Sequence, residues 1–188
     1  MSTPLASIRR AAALASLAAA PAMALAADAP RDGRHDFDFL LGTWTVHLKR
    51  LPERLVGSTN WLEYEGRSIV RPFVGGGANV EEFEAQGREP GQHIKGQTLR
   101  LYDPASDQWS LHLLDVDHGQ LMLPPTVGRF TDGRGEFFDM EPWKGQQVLV
   151  RYVWTHEASR HARMEQAFSQ DGGRTWEVNW ICDLTRVD

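Results

Sequence analysis

The chain has 188 residues, 41% of them hydrophobic and 24% charged, with 10 prolines and 17 glycines, a globular balance that excludes a disordered chain and a collagen-like repeat. Its formal charge of −5 disfavours the phosphate backbone of nucleic acid as a partner. A chain of this size buries roughly 70% of its unfolded surface, enough for one real core and too little for two.

In chain order, residues 1–26 read as a secretory signal: Arg9 and Arg10 precede an apolar, alanine-rich run that ends at Ala24-Leu25-Ala26. Cleavage there predicts a periplasmic or secreted product. The run from Ala11 to Ala20 is too dominated by alanine, and too soon followed by Pro21, to predict a stable membrane anchor. Cys182 is the single cysteine, which excludes an intrachain disulfide and a lipid-modified cysteine at the cleavage site. Residues 27–34 (ADAPRDGR) are expected to be a disordered lead-in, and 35–188 the folded domain. At its start Arg34 to Leu41 predicts a single helical turn, with Phe37, Leu40 and Leu41 at helical spacing.

From Gly42 onward apolar and polar residues alternate over short runs bounded by turn residues, the pattern of half-buried antiparallel strands. Strands are predicted at Thr43–Leu51, Thr59–Tyr64, Gly66–Pro72, Asn79–Ala85, Gly96–Tyr102, Gln108–Val116, Gln120–Phe130, Gly135–Met140, Gln147–Thr155, His161–Ser169 and Trp176–Thr185. So many strands in one small domain predict an all-β fold with a closed or nearly closed antiparallel sheet.

Asp103-Pro104-Ala105-Ser106-Asp107, Thr131-Asp132-Gly133 and Asp171-Gly172-Gly173 carry turn chemistry between these strands. The last lies within Ser169-Gln170-Asp171-Gly172-Gly173-Arg174-Thr175-Trp176, which matches the S-x-D-x-G-x-T-W Asp-box. That pattern marks a structural hairpin in sialidases, where it recurs in every blade. Here it occurs once, so it predicts one hairpin built by Ser169, Asp171 and Trp176, and no propeller.

Phe39-Leu40-Leu41-Gly42-Thr43-Trp44 resembles the start of the lipocalin and fatty-acid-binding barrels, the calycin group, in which a tryptophan closes one end and an arginine near the last strand packs across it. The resemblance assigns those roles to Trp44 and Arg186. With Thr98 to Pro104, Gln166 to Ser169, Asp171 to Gly173, and Trp176 with Asn179-Trp180, the ordered set resembles a bacterial secreted lipocalin-like family of unknown function, over nearly the whole mature chain. The resemblance implies the fold, a single up-and-down antiparallel β-barrel of lipocalin type with about ten strands, and no activity.

Seven tryptophans are many for this length. They serve a packed core, or some line a cavity in a barrel too wide for its side chains to fill. The second account selects Trp61, Trp109, Trp154 and Trp180. Pairing Tyr102 with Trp109 puts Thr98, Arg100, Tyr102, Trp109, Leu111 and Leu113 on one face. In the Asp-box hairpin, parity puts Glu165 with Trp180 on one face and Gln166 with Asn179 on the other, so only one pair is expected inside. Neutral amides bury more easily than a carboxylate, which favours Gln166 and Asn179. An inward Glu165 would need a cation, and Arg100 is the candidate.

Asp115, Asp117 and His118 are the weak candidates for acid-base catalysis, set against a strand-ending turn before Gly119. The histidines show no metal-binding spacing, and no metal site is read. No cofactor is expected. Haem is the alternative, because the related nitrobindin barrels hold haem through one histidine and His112, His156 or His161 could serve. The sequence thus predicts an exported barrel binding a small hydrophobic molecule. Two alternatives stay open: an enzyme on the same barrel acting on a lipophilic substrate, and a dry-cored domain that works through its surface.

Overall fold

The structure, a computed structural model, describes residues 31–187. The predicted signal and the first four residues of the lead-in lie outside the described residues. Eleven strands follow two single-turn 3-10 helices, Gly33–His35 and Asp38–Leu40. They are β1 (Gly42–Arg50), β2 (Leu62–Pro72), β3 (Ala78–Gly87), β4 (His93–Asp103), β5 (Gln108–Asp115), β6 (Gln120–Leu121), β7 (Thr126–Thr131), β8 (Arg134–Trp143), β9 (Gln146–Ala158), β10 (His161–Ser169) and β11 (Glu177–Val187).

Ten of them form a closed antiparallel meander: each pairs with the next, β5 passes to β7, and β1 closes the ring against β11. This is a closed up-and-down antiparallel barrel. Closure removes every long edge that would otherwise expose unpaired amides.

Two boundaries differ from the sequence reading. The strand expected over Gln120–Phe130 is interrupted into β6 and β7, since Pro124 and Pro125 have no amide hydrogen to give the ladder. Conversely, Gly66 is no break. It sits mid-strand in β2 where an added Cβ would lie 2.1 Å from the Glu84 carbonyl, so glycine permits β3 to approach. Residues 31–34 are also tied down rather than loose: the Gly33 amide donates to the Tyr102 hydroxyl (2.9 Å), and Arg31 pairs with Asp36 and Asp107.

The turn after the lead-in plugs one end. Phe37 and Leu40 are fully buried, and Phe37 meets Trp109, Phe130, Phe137 and Trp154 with ring centres 4.9–5.9 Å apart. At the opposite end a smaller cluster of Val148, Val150 and Phe168 packs with Leu55 and Trp143. Trp143 ends β8 rather than lying in a loop, its ring edge-on to Phe168. Between the plug and this cap lies the space that concerns function.

Candidate functional site: the barrel cavity

A cavity of about 280 Å³, partly open to solvent, occupies the upper barrel. Alternation within each strand decides its wall. In β4 and β5, paired through Tyr102 and Trp109, the inward face carries Thr98, Arg100, Leu111 and Leu113. In β3 it carries Asn79, Glu81, Phe83 and Ala85, and in β10 and β11 Met164, Gln166, Trp180, Cys182 and Leu184. Trp154 and Tyr152 complete the wall from β9, and Arg54 reaches in from the loop after β1. The wall is mostly apolar with a few fixed polar groups, as small-molecule sites are.

The floor is a buried ion pair. Arg100 is 1% exposed and hydrogen-bonds Glu81; its other terminal nitrogen donates to Asn79 Oδ1 (3.1 Å), and the Ser68 hydroxyl donates to Glu81 (2.6 Å). The guanidinium carbon lies 5.2 Å from the ring centre of Phe37 and 5.3 Å from that of Trp154, so aromatic faces shield the charge where carboxylate and amide do not. Glu81 was not among the sequence candidates. It sits in the acidic run Glu81-Glu82-Phe83-Glu84, and its signal was parity: it shares a face with Phe83 and Ala85.

Higher up, the Gln166 amide donates to the Tyr152 hydroxyl (2.6 Å), which donates to Glu141 (3.3 Å). Burial pushes the Glu141 carboxyl up, aided by the nearby Asp139, while the Tyr152 bond and Arg54 oppose it. Asp139 is also raised by burial, against the Thr126 hydroxyl that donates to it. Burial raises the Tyr152 phenol and the Cys182 thiol as well. Arg54 is packed over Trp143 (5.2 Å) and Phe168 (4.7 Å), and its desolvation lowers its pKa.

The structure brings together four of the eight predicted binding residues: Arg100, Trp154, Gln166 and Trp180. The other four stand elsewhere. Trp109 is inward but one layer lower, where its indole N–H donates to the Gly33 carbonyl (3.0 Å) under the plug. Trp61 precedes β2 and is no part of the wall. Glu165 faces outward, bound by Arg163 (2.7 Å), which also binds Asp183, so no Arg100–Glu165 pair exists. Asn179 is fully buried but not on the wall.

The expected Gln166–Asn179 pairing fails because β11 bulges. Gln166 lies opposite Trp180 and Ala167 opposite Val178, which leaves Asn179 as the extra residue and places Trp180 on the Gln166 face.

Asp115 and His118 do meet, Oδ2 to Nδ1 2.8 Å, but on the surface, with Asp115 also accepting from the His118 amide. They form the strand-ending turn weighed as their alternative, and Asp117 is exposed beside them. Among the described residues no histidine lines the cavity: His112 points to Ser110, His156 stacks on Phe39, and His161 lies beside Thr185. The cavity therefore offers haem no imidazole.

The fold defines a closed up-and-down barrel with an interior cavity. The sequence matches no protein-family profile and no curated protein. Among solved structures, an S-type phycobiliprotein lyase from Guillardia theta is similar, with a TM-score of 0.57 at 9% identity, covering 85% of this chain and 99% of that one. At that identity the likeness is one of fold.

Proposed function

We propose that the barrel binds a small, largely apolar molecule in this cavity, and that the chain acts in the periplasm or outside the cell after losing residues 1–26. The observation carrying the first part is the cavity itself. Its 280 Å³ stands at the lower edge of the roughly 300–1,000 Å³ of small-molecule sites, and its wall is apolar around Arg100, Glu81 and Gln166. A dry-cored domain has no use for such a space. Native mass spectrometry of protein purified from its own host tests the reading, because a retained ligand appears as added mass. Titration with fatty acids, retinoids and haem is the complement: Trp154 and Trp180 line the wall, so an occupant quenches emission saturably. Silence in both removes the binding function. For export, N-terminal sequencing of the mature protein should begin at Ala27, and an intact Met1 overturns it.

An enzyme on the same barrel is the second reading, favoured by Glu141. Its carboxyl, raised by burial, reaches the cavity wall through the Tyr152 hydroxyl, which puts a titratable group one hydrogen-bonded residue from the wall. Turnover of a lipophilic ester that vanishes in Glu141→Gln while binding persists supports it. Equal turnover in both proteins rejects it.

A further inference from the structure

Four residues that line the cavity each hold one buried polar atom with no hydrogen-bond partner among the described residues. The atoms are Arg100 Nε, Trp154 Nε1, Trp180 Nε1 and Gln166 Oε1. Arg100, Trp154 and Gln166 are all more than nine-tenths buried. Three of the four are donors and one an acceptor. Such groups are costly to bury unanswered, so their partner is to be sought in whatever occupies the space they border.

The sign of that occupant's charge follows from what surrounds the donors. Arg100 is the floor cation, and its charge is already matched by Glu81, which Ser68 and Asn79 hold in a connected set with it. A carboxylate ligand placed there would meet Glu81 as a like charge in a weakly screened interior. Arg54, the other buried cation on the wall, stands at the upper end. It packs on Trp143 and Phe168 and lies in the field of the like charge of Arg50 and the opposing fields of Glu141 and Glu177. Lys95 is exposed at the rim. The two tryptophan donors carry no formal charge and can serve a neutral oxygen.

We infer that the cavity selects an uncharged molecule with an apolar body and a hydrogen-bond-accepting oxygen, such as a ketone, lactone or quinone carbonyl, over the equivalent carboxylate. The oxygen is held by the indole N–H groups of Trp154 and Trp180 with Arg100 Nε beneath. Gln166 Oε1 accepts from a hydroxyl or amide N–H where the ligand has one. This rests on the binding reading above and narrows it to a chemical class.

The test is calorimetric titration of the full mature chain with three probes of one skeleton: 2-acetylnaphthalene, 2-ethylnaphthalene and 2-naphthoate, at pH 7. The expected order is the ketone at least tenfold tighter than either of the others. Binding of the hydrocarbon as tight as the ketone, or of the carboxylate tighter, overturns the inference and leaves the cavity-binding reading standing. No binding of any probe overturns both. Trp180→Phe keeps an aromatic ring and removes the N–H; it should cut the preference for ketone over hydrocarbon several-fold. An unchanged preference removes Trp180 from the assignment. Glu81→Gln leaves Arg100 unmatched and should raise naphthoate affinity at least tenfold. Should that variant not fold, the Trp180→Phe comparison still decides.

Discussion

The guanidinium carbon of Arg186 lies 4.3 Å from the ring centre of Trp44, and the two residues are direct partners across the β1–β11 seam that closes the barrel. The same guanidinium donates to the carbonyls of Leu41 (2.6 Å), Phe39 (2.5 Å) and Ser159 (3.0 Å), while the Trp44 indole donates to the Leu40 carbonyl (2.7 Å). Gly42 makes room: its φ is +122°, and a Cβ there would stand 2.7 Å from Arg186 Nη1. One stacked pair thus joins the plug, the first strand and the last.

Trp44→Ala should accordingly cost about 3–5 kcal/mol, as for other buried aromatics. Arg186→Ala should cost about 1–3 kcal/mol through the carbonyls left without a donor. Because the residues touch, the double variant should lose less than the sum of the singles, by about 0.5–3 kcal/mol. Urea unfolding of the four proteins measures this, and strict additivity would show that the stack carries no energy of its own.

What the sequence made legible was local. Alternation and turn chemistry placed the strands within a few residues, and the Asp-box octet announced its hairpin, because both signals are written in consecutive residues. The β10–β11 register was not legible, since nothing in Val178-Asn179-Trp180 marks which residue will bulge. That single extra residue moved Trp180 from the expected outer face to the cavity. Glu81 was hidden for a related reason: three acids in four positions look like a solvated strand, and only the three-dimensional closeness of Arg100, from the neighbouring β4, explains why one of them turns inward.

That Arg100–Glu81 pair yields a second expectation. Removing one partner strands a buried charge, so Glu81→Ala should destabilise by about 3–5 kcal/mol. Replacing both by apolar residues of similar size, Glu81→Leu with Arg100→Met, should recover much of the loss. A double variant as unstable as Glu81→Ala would mean that the pair is needed for more than its own neutralisation. Chemical denaturation at neutral pH gives both values.

The Asp-box hairpin should show itself in acid. Asp171 accepts from the amides of Arg174 (3.0 Å) and Thr175 (2.9 Å) and from the hydroxyls of Thr175 and Ser169, with the Thr175 bonds foremost, and its pKa is lowered to about 2. The folded state therefore holds this proton more weakly than the unfolded chain, whose aspartates titrate near 3.9. Its contribution is complete above that value and is lost as the pH falls through about 2. Asp171→Ala should lower the melting temperature at pH 7 and flatten the wild-type decline between about pH 4 and pH 2. Affinity for a cavity ligand should be unchanged, as Asp171 does not line that space. Loss of binding with unaltered melting would move the hairpin from scaffold to site.

Glu141 should behave in the opposite sense. Burial raises its pKa above that of an exposed glutamate, with Asp139 adding to the shift, so here the folded state holds the proton more tightly than the unfolded chain. The linkage then favours the fold below the unfolded value and loses that contribution as the pH rises through the folded one. Where it ionises, the carboxylate is desolvated, with the Tyr152 hydroxyl bond and the field of Arg54 to offset that cost. Glu141→Gln keeps an oxygen for the Tyr152 hydroxyl and removes the titration. The variant should melt higher than the wild type at pH 7–8, and the advantage should shrink towards pH 4, where the wild-type carboxyl is itself protonated. Thermal unfolding across that range decides the matter: a variant less stable at pH 8 than at pH 4, relative to wild type, would show that the ionised carboxylate is held by partners stronger than its desolvation. A natural protein keeps a destabilising ionisable group where that group acts, so a confirmed gain in stability would also be the reason to test Glu141 first for proton transfer to a molecule in the cavity.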